Sequence, residues 1–249
     1  MNQRYWDKLA KSFSKDVIEL AKEDRNGVLL EELDKLASRR KTVTDLGCGP
    51  GILIPELVKR FRSVCAVDFS KKLLAVAAQR YPDPKVTFLQ ADLTQPIEPD
   101  SPSDVTVCSS VLILASRKKR RRVMESIVRF TRKGGTVIVT VPSLESCIHV
   151  YQTLVRLRKE LGGNNGMSRP EARRQLAAEL PSVLDGNVSI RGVLTKHWMQ
   201  DEITQHIADA GLTVERVRRV DFSWESEIDA APDWLGAPFP WDWMIVARR

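Results

Sequence analysis

The sequence predicts an α/β fold, a doubly wound and mostly parallel sheet, and three observations carry that expectation. Short apolar, β-branched runs end at Leu46, Val67, Gln90, Cys108 and Val141, and stretches of helical period alternate with them. That alternation implies crossovers between parallel strands, with helices on both faces of the sheet. The first strand also runs straight into Gly47-Cys48-Gly49-Pro50-Gly51, followed by a helix-length apolar stretch from Ile52 to Phe61. A length of 249 residues with 43% hydrophobic content is enough for one such domain with added elements.

The chain opens with Trp6, Leu9, Phe13, Val17 and Leu20 on one helical face, an amphipathic helix that ends around Arg25-Asn26-Gly27. A second helix is expected over Val28–Ala37. The basic cluster Ser38-Arg39-Arg40-Lys41 would then sit at its C-terminus, where positive charge complements the helix dipole. Thr42–Leu46 reads as a buried strand with Asp45 near its end. The glycines after it allow close backbone approach and positive φ, and the helix start offers unpaired N–H groups, so the turn suits a nucleotide. The dinucleotide fingerprint GxGxxG would need glycine at position 52, where this chain has Ile52.

Asp45 followed by Gly47-Cys48-Gly49-Pro50-Gly51 instead resembles motif I of the class I S-adenosylmethionine (SAM) methyltransferases. The resemblance extends over most of the chain. It implies a Rossmann-like sheet of seven strands with an antiparallel last strand, N-terminal helices and a helical insertion after the fifth strand. It also implies SAM as cofactor and S-adenosylhomocysteine as product.

The second strand, Ser63–Val67, ends at Asp68, 17 residues after Gly51. An acid there can accept hydrogen bonds from both ribose hydroxyls. Asp68-Phe69-Ser70 is similar to the family's motif II; the plainer reading of Asp68 is a helix N-cap, which Ser70 already suits. A strand-end acid carries little core packing, so Asp68→Ala should spare folding. The next helix stops at Tyr81-Pro82, and Lys85–Gln90 is the third strand. After it, the resemblance sets Asp92 toward the adenine amino group and Leu93 against the ring; a turn former is the alternative for Asp92.

Asp104–Leu114 contains the fourth strand, whose end faces the transferred methyl in the family. Cys108-Ser109-Ser110-Val111 stands where enzymes acting on base amines often carry an Asn/Asp-Pro-Pro-Tyr-like tetrapeptide, which counts against that chemistry. Arg117–Arg122 is a run of six basic residues on a helix starting near Ser116, read as a solvated helix start or as a nucleic-acid or anionic-lipid patch. The same helix buries Val123, Ile127 and Phe130, and Gly135–Val141 is the β-branched fifth strand.

Pro142 to about Lys196 leaves room for two extra helices. Leu144, Ile148, Tyr151 and Val155 mark the first, which ends at the Gly162–Gly166 stretch. Ser168 and Glu171 form a capping box for the second, which runs to Leu180-Pro181. Met199–Ala210 is the last helix, and Leu212–Trp224 and Trp243–Val246 are two closing strands. Five of the six tryptophans lie beyond residue 197, which suggests a core seam, a pocket wall or a dimer face. In the resulting organisation 1–41 is an N-terminal helical cap, 42–142 the cofactor-binding core, 143–195 a substrate cap, and 196–249 the last helix and strand pair.

Site expectations follow. For the cofactor they are Asp45, Gly47, Cys48, Gly49, Gly51, Asp68, Phe69, Ser70, Asp92, Leu93 and Ser109. For the substrate they are Tyr5, Trp6, Ser110, Ile148, His149 and Tyr151. Tyr5-Trp6-Asp7 is similar to the family's N-terminal covering segment. A sulfonium is already an activated methyl donor, so a base is needed only for a protonated acceptor. No catalytic residue is assigned; His149, His197 and Tyr151 are base candidates, with packing or surface roles as the alternative.

Composition narrows the class. No apolar run is long enough to cross a membrane, and the N-terminus lacks a secretory apolar core. Cys48, Cys65, Cys108 and Cys147 make no CxxC and suit a reducing cytoplasm, and neither they nor the three histidines show metal-ligand spacing. A net charge of +7 permits an acidic partner without requiring one. The expectation is methyl transfer from SAM to a small molecule by in-line displacement. The alternatives are a methyltransferase for RNA or protein, or a SAM-binding partner subunit without catalysis; nucleic acid is not favoured, and a homodimer is compatible.

Overall fold

A computed structural model describes residues 23–161, 185–190, 192–228 and 231–249. The opening helix and the second inserted helix expected from the sequence lie outside the described residues.

In chain order the elements are α1 (Val28–Leu36), β1 (Ser38–Leu46), α2 (Ile54–Arg60), β2 (Phe61–Asp68), α3 (Lys71–Arg80), β3 (Val86–Gln90), β4 (Ser103–Ser109), α4 (Arg117–Phe130) and β5 (Thr131–Pro142). Then come α5 (Leu144–Leu161), β6 (Asn187–Ile190), β7 (Val193–Lys196), α6 (Gln200–Asp209), β8 (Thr213–Asp221), a 3-10 turn (Trp224–Ser226) and β9 (Trp241–Arg248). The seven-stranded sheet has the order β3-β2-β1-β4-β5-β9-β8. β9 runs antiparallel to both neighbours, and the other pairings are parallel. The seven-stranded doubly wound sheet with one antiparallel strand is as expected.

The strands are long β-branched runs because both faces are covered. On one face Val43, Val64, Val105, Val107, Ile138, Met244 and Val246 pack with α1 and α2. On the other, Leu46, Val67, Cys108, Val139 and Ile245 pack with α4 and α6. Side chains alternate along a strand. Continuing the first face to the C-terminal ends of the parallel strands therefore brings Asp45, Asp68, Ser109 and Thr140 to one side, and antiparallel β9 adds Asp242. These five residues on five strands set the place of the site.

Several boundaries differ from expectation. The basic cluster lies in β1 and not at the end of α1, because Ser38 pairs with Phe61 across a bulge that leaves Arg39 and Arg40 exposed. α1 closes earlier, with the Ala37 N–H bonded to Asp34 O. Residues 51–53 are turns, so α2 starts at Ile54, and fully buried Phe61 belongs to β2. A hairpin, β6–β7, turning at Gly192, stands where the sequence reading had only helices.

Candidate functional site

The turn after β1 is built from three left-handed glycines: Gly47 (φ 77), Gly49 (φ 53) and Gly51 (φ 84). A side chain at Gly47 would put its Cβ 2.3 Å from Val111 Cγ2, and one at Gly51 would lie 2.8 Å from Ile54 Cδ1. Glycine is thus required twice over, by conformation and by space. The N–H groups of Gly47 and Cys48 both donate to Val67 O, at 2.7 and 3.0 Å, which bends the turn over β2. Cys48 is buried; burial, then Asp45, raises its thiol well above the usual range, so it is a packing residue and no nucleophile.

Two carboxylates face this turn. Asp68 Oδ2 accepts from Gly49 N at 3.0 Å, and Oδ1 accepts from Ser70 N at 2.8 Å. Ser70 caps α3 by accepting from Leu73 N. The expectation that Asp68 matters little to folding is therefore corrected: at 5% exposure it braces the turn. Asp45 is 3% exposed. Burial, then the charge of Asp68, pushes its carboxyl up to about 7. Among the described residues no hydrogen-bond donor meets it.

At the end of β3, Asp92 is exposed and its Oδ1 accepts from Thr94 N (2.9 Å) and Oγ1 (2.7 Å), so it does form the turn. Leu93 is 6% exposed and packs in the core with α4, while Phe69 is half-buried.

At the end of β4, Ser109 Oγ bonds Thr140 Oγ1 at 2.8 Å. Ser110 is left-handed at φ 54, alone among non-glycine residues in the described chain. Such strain clusters at functional sites; no sequence signal marks it. Val111, next in line, lies against Gly47.

On α5 Leu144, Ser146, Val150, Thr153 and Leu157 are buried, and Val150 and Leu157 join Trp224 and Leu235. Ile148, Tyr151 and Val155 are half-buried on another side. His149 is drawn toward the C-terminal loop: its Nε2 lies 2.9 Å from Pro238 O and its ring 5.3 Å from that of Trp224. His197 is 8% exposed, and burial lowers it to about 4, so it is neutral at pH 7 and sits under the hairpin. Tyr5 and Trp6 lie outside the described residues. Trp198, Trp224 and Trp243 are buried, in favour of the core seam, whereas Trp234 is exposed.

Two carboxylates beside α5 had no sequence signature. Burial pushes Glu227 up to about 7; burial, then Glu227, does the same to Asp242. Burial, then Glu227, also raises the Cys147 thiol to about 12. Glu227 is nevertheless exposed and Asp242 half-exposed. No group of metal-ligating residues is found among the described residues.

A family profile described as "Methyltransferase domain" matches residues 43–135. A trans-aconitate 2-methyltransferase of Azoarcus sp. (strain BH72) is 30% identical over 184 residues, covering 71% of this chain and 66% of that protein. The chain spans about half to two thirds of the length of the first curated relatives it matches. Among solved structures, a SAM-dependent methyltransferase from Anabaena variabilis aligns with TM-score 0.65 at 16% identity, over 99% of this chain and 93% of that one. The DhpI–SAH complex aligns with TM-score 0.64 at 17% identity, over 99% and 94%. These structural likenesses speak for the fold.

Proposed function

We propose that this chain, which belongs to the class I S-adenosylmethionine-dependent methyltransferases, moves the methyl group of SAM to a small-molecule acceptor. One observation carries the cofactor reading: a turn of three left-handed glycines lies between two acids, of which Asp45 is buried without a donor. A buried carboxylate of this kind calls for a cation, and SAM brings an ammonium and a sulfonium. The glycine turn has no side chain to fill the cradle.

Roles for the residues follow. Asp45 receives the positive end of the cofactor. The Gly47–Gly51 backbone approaches its methionine part, and Asp68 holds the ribose hydroxyls while bracing Gly49. Phe69 and Ser70 flank the ribose, and Asp92 faces the adenine. Bound SAM supplies a methyl group activated on sulfur. Ser109 and Ser110 border the point of transfer. The chain's contribution is in-line placement and exclusion of water.

For the acceptor, the carboxylates Glu227 and Asp242, which lie close to each other and to Cys147 of α5, support a small molecule. Ile148 and Tyr151 on α5 and the opening segment with Tyr5 and Trp6 complete the proposed cap. A carboxylate with pKa near 7 is suited to take a proton from an acceptor that arrives protonated. The relative named for trans-aconitate adds support for a small acceptor. Four free cysteines fit a reducing cytoplasm, and no described helix is long and apolar enough to cross a membrane. The test is a metabolite extract incubated with isotopically labelled SAM. Label in a small-molecule fraction supports the reading; label confined to RNA or protein overturns it.

A further inference from the structure

The loop between β4 and α4 joins the strained Ser110 to the first turn of α4, and its carbonyls are held from outside. Trp198 Nε1 donates to Leu112 O at 2.8 Å. Lys196 N donates to Ile113 O at 2.8 Å, and Leu114 forms an isolated antiparallel bridge with Thr195. Arg120 Nη1 donates to Leu114 O at 2.7 Å and to Ala115 O at 2.8 Å. Four successive carbonyls are therefore fixed by one arginine of α4 and by the segment leading from β7 into α6.

The fixing groups also hold one another. The guanidinium of Arg120 lies 5.1 Å from the Trp198 ring, and the ammonium of Lys196 lies 4.9 Å from it. Lys196 is anchored by Glu202 at 2.6 Å. Trp198 is 2% exposed, and its own backbone donates to Pro142 O at 2.8 Å and accepts from Leu144 N at 3.0 Å. One residue thus ties the β5–α5 junction to Leu112.

Stability alone gives a poor account of Arg120. It is 7% exposed, its Nε finds no partner, and burial lowers its pKa. A buried guanidinium with an unpaired N–H is often matched in stability by an apolar residue of the same size. What Arg120 does supply is position. Its carbonyl partners are four and five residues from Ser110, and Val111 of the same loop abuts Gly47.

We infer that Arg120 and Trp198 are positioning residues, a clamp that keeps the loop after β4 pressed against the glycine turn and so sets the cofactor's transfer end. The inference rests on the functional reading above. They act through Ser110, Val111 and Gly47 and touch no reacting atom.

The test uses Arg120→Met and Trp198→Phe, each removing the donors while keeping most of the volume. SAM and S-adenosylhomocysteine are titrated calorimetrically well below each variant's Tm, and hydrogen exchange is followed at the amides of 110–115. Both variants should exchange faster in this loop and bind SAM about tenfold more weakly, the cost expected of losing an oriented hydrogen bond. Arg120→Lys, which keeps a donor, should recover part of both. Wild-type exchange and wild-type SAM affinity in both variants, whatever happens to Tm, would overturn the clamp. A wild-type chain that binds no SAM would overturn the functional reading instead, and loop exchange would still report separately on the clamp.

Discussion

The carboxylate of Asp68 at the end of β2 takes a hydrogen bond from the backbone N–H of Gly49 at 3.0 Å, reaching 19 residues back along the chain. The acid proposed to hold the ribose is therefore also a brace of the turn that meets the rest of the cofactor. Asp68→Ala should weaken SAM binding by tenfold to a hundredfold, since a hydrogen bond to a charged group contributes roughly 1.5–3 kcal/mol. It should also lower Tm, because Gly49 and Ser70 lose their acceptor. Calorimetry with a thermal melt checks both. An unchanged Tm would show that the brace carries no weight.

Asp45 gives a pH signature. Among the described residues the charge acting on it is that of Asp68, no cation is among its partners, and the thiols of Cys48, Cys65 and Cys108 are held neutral by burial. Its folded pKa of about 7 lies above the ordinary 3.8, so folding favours the protonated form. The stability it contributes is complete below about pH 4 and is lost as pH rises through 7. A cation needs the ionised form, so SAM affinity should rise by up to about tenfold per pH unit below 7 and level off above it. Asp45→Asn should raise the Tm of the ligand-free protein at pH 8 and abolish most SAM binding. Equal Tm values at pH 8 for the two proteins would contradict the buried charge.

Gly47 and Val111 form a contact that can be separated into parts. Gly47→Ala meets both a positive φ and the Val111 methyl, and should lower Tm and SAM affinity together. Adding Val111→Ala removes the overlap but leaves the φ strain, so only part of the loss should return. Full recovery in the double variant would mean that backbone conformation is not limiting.

Much of this architecture was legible in the residues, and the exceptions have physical causes. Thr42–Gly51 and the strand ends at Val67, Gln90 and Cys108 declare themselves because buried parallel strands are uniformly β-branched and a cradle admits only glycine. Arg120 could not be singled out among six basic neighbours; its burial depends on where Trp198 lands. Ser110 looks like any serine until its φ is known. Glu227 and Asp242 gain their character from burial and from each other, which depends on segments distant in sequence coming together. The β6–β7 hairpin did leave a signal, alternation around Gly192, but the helical reading of the stretch before it masked it.

The basic run is tested by reversing charge at three of its four exposed positions, Lys118, Lys119 and Arg121, and leaving the buried Arg120 alone. As a solvated helix start, the variant should keep SAM affinity and Tm close to wild type. A patch that grips RNA predicts a different result with a mixed tRNA probe: tight, salt-sensitive binding in the wild type and a flatter salt dependence in the variant. That outcome would favour a macromolecular acceptor over a small one.

The central claim is that the glycine turn, Asp45 and Asp68 bind SAM and not a dinucleotide. Parallel calorimetric titrations of the full chain with SAM and with NAD test it most directly. The account predicts saturable one-to-one binding of SAM, weakened in Asp68→Ala, and no measurable heat with NAD. Binding of NAD without binding of SAM would contradict it.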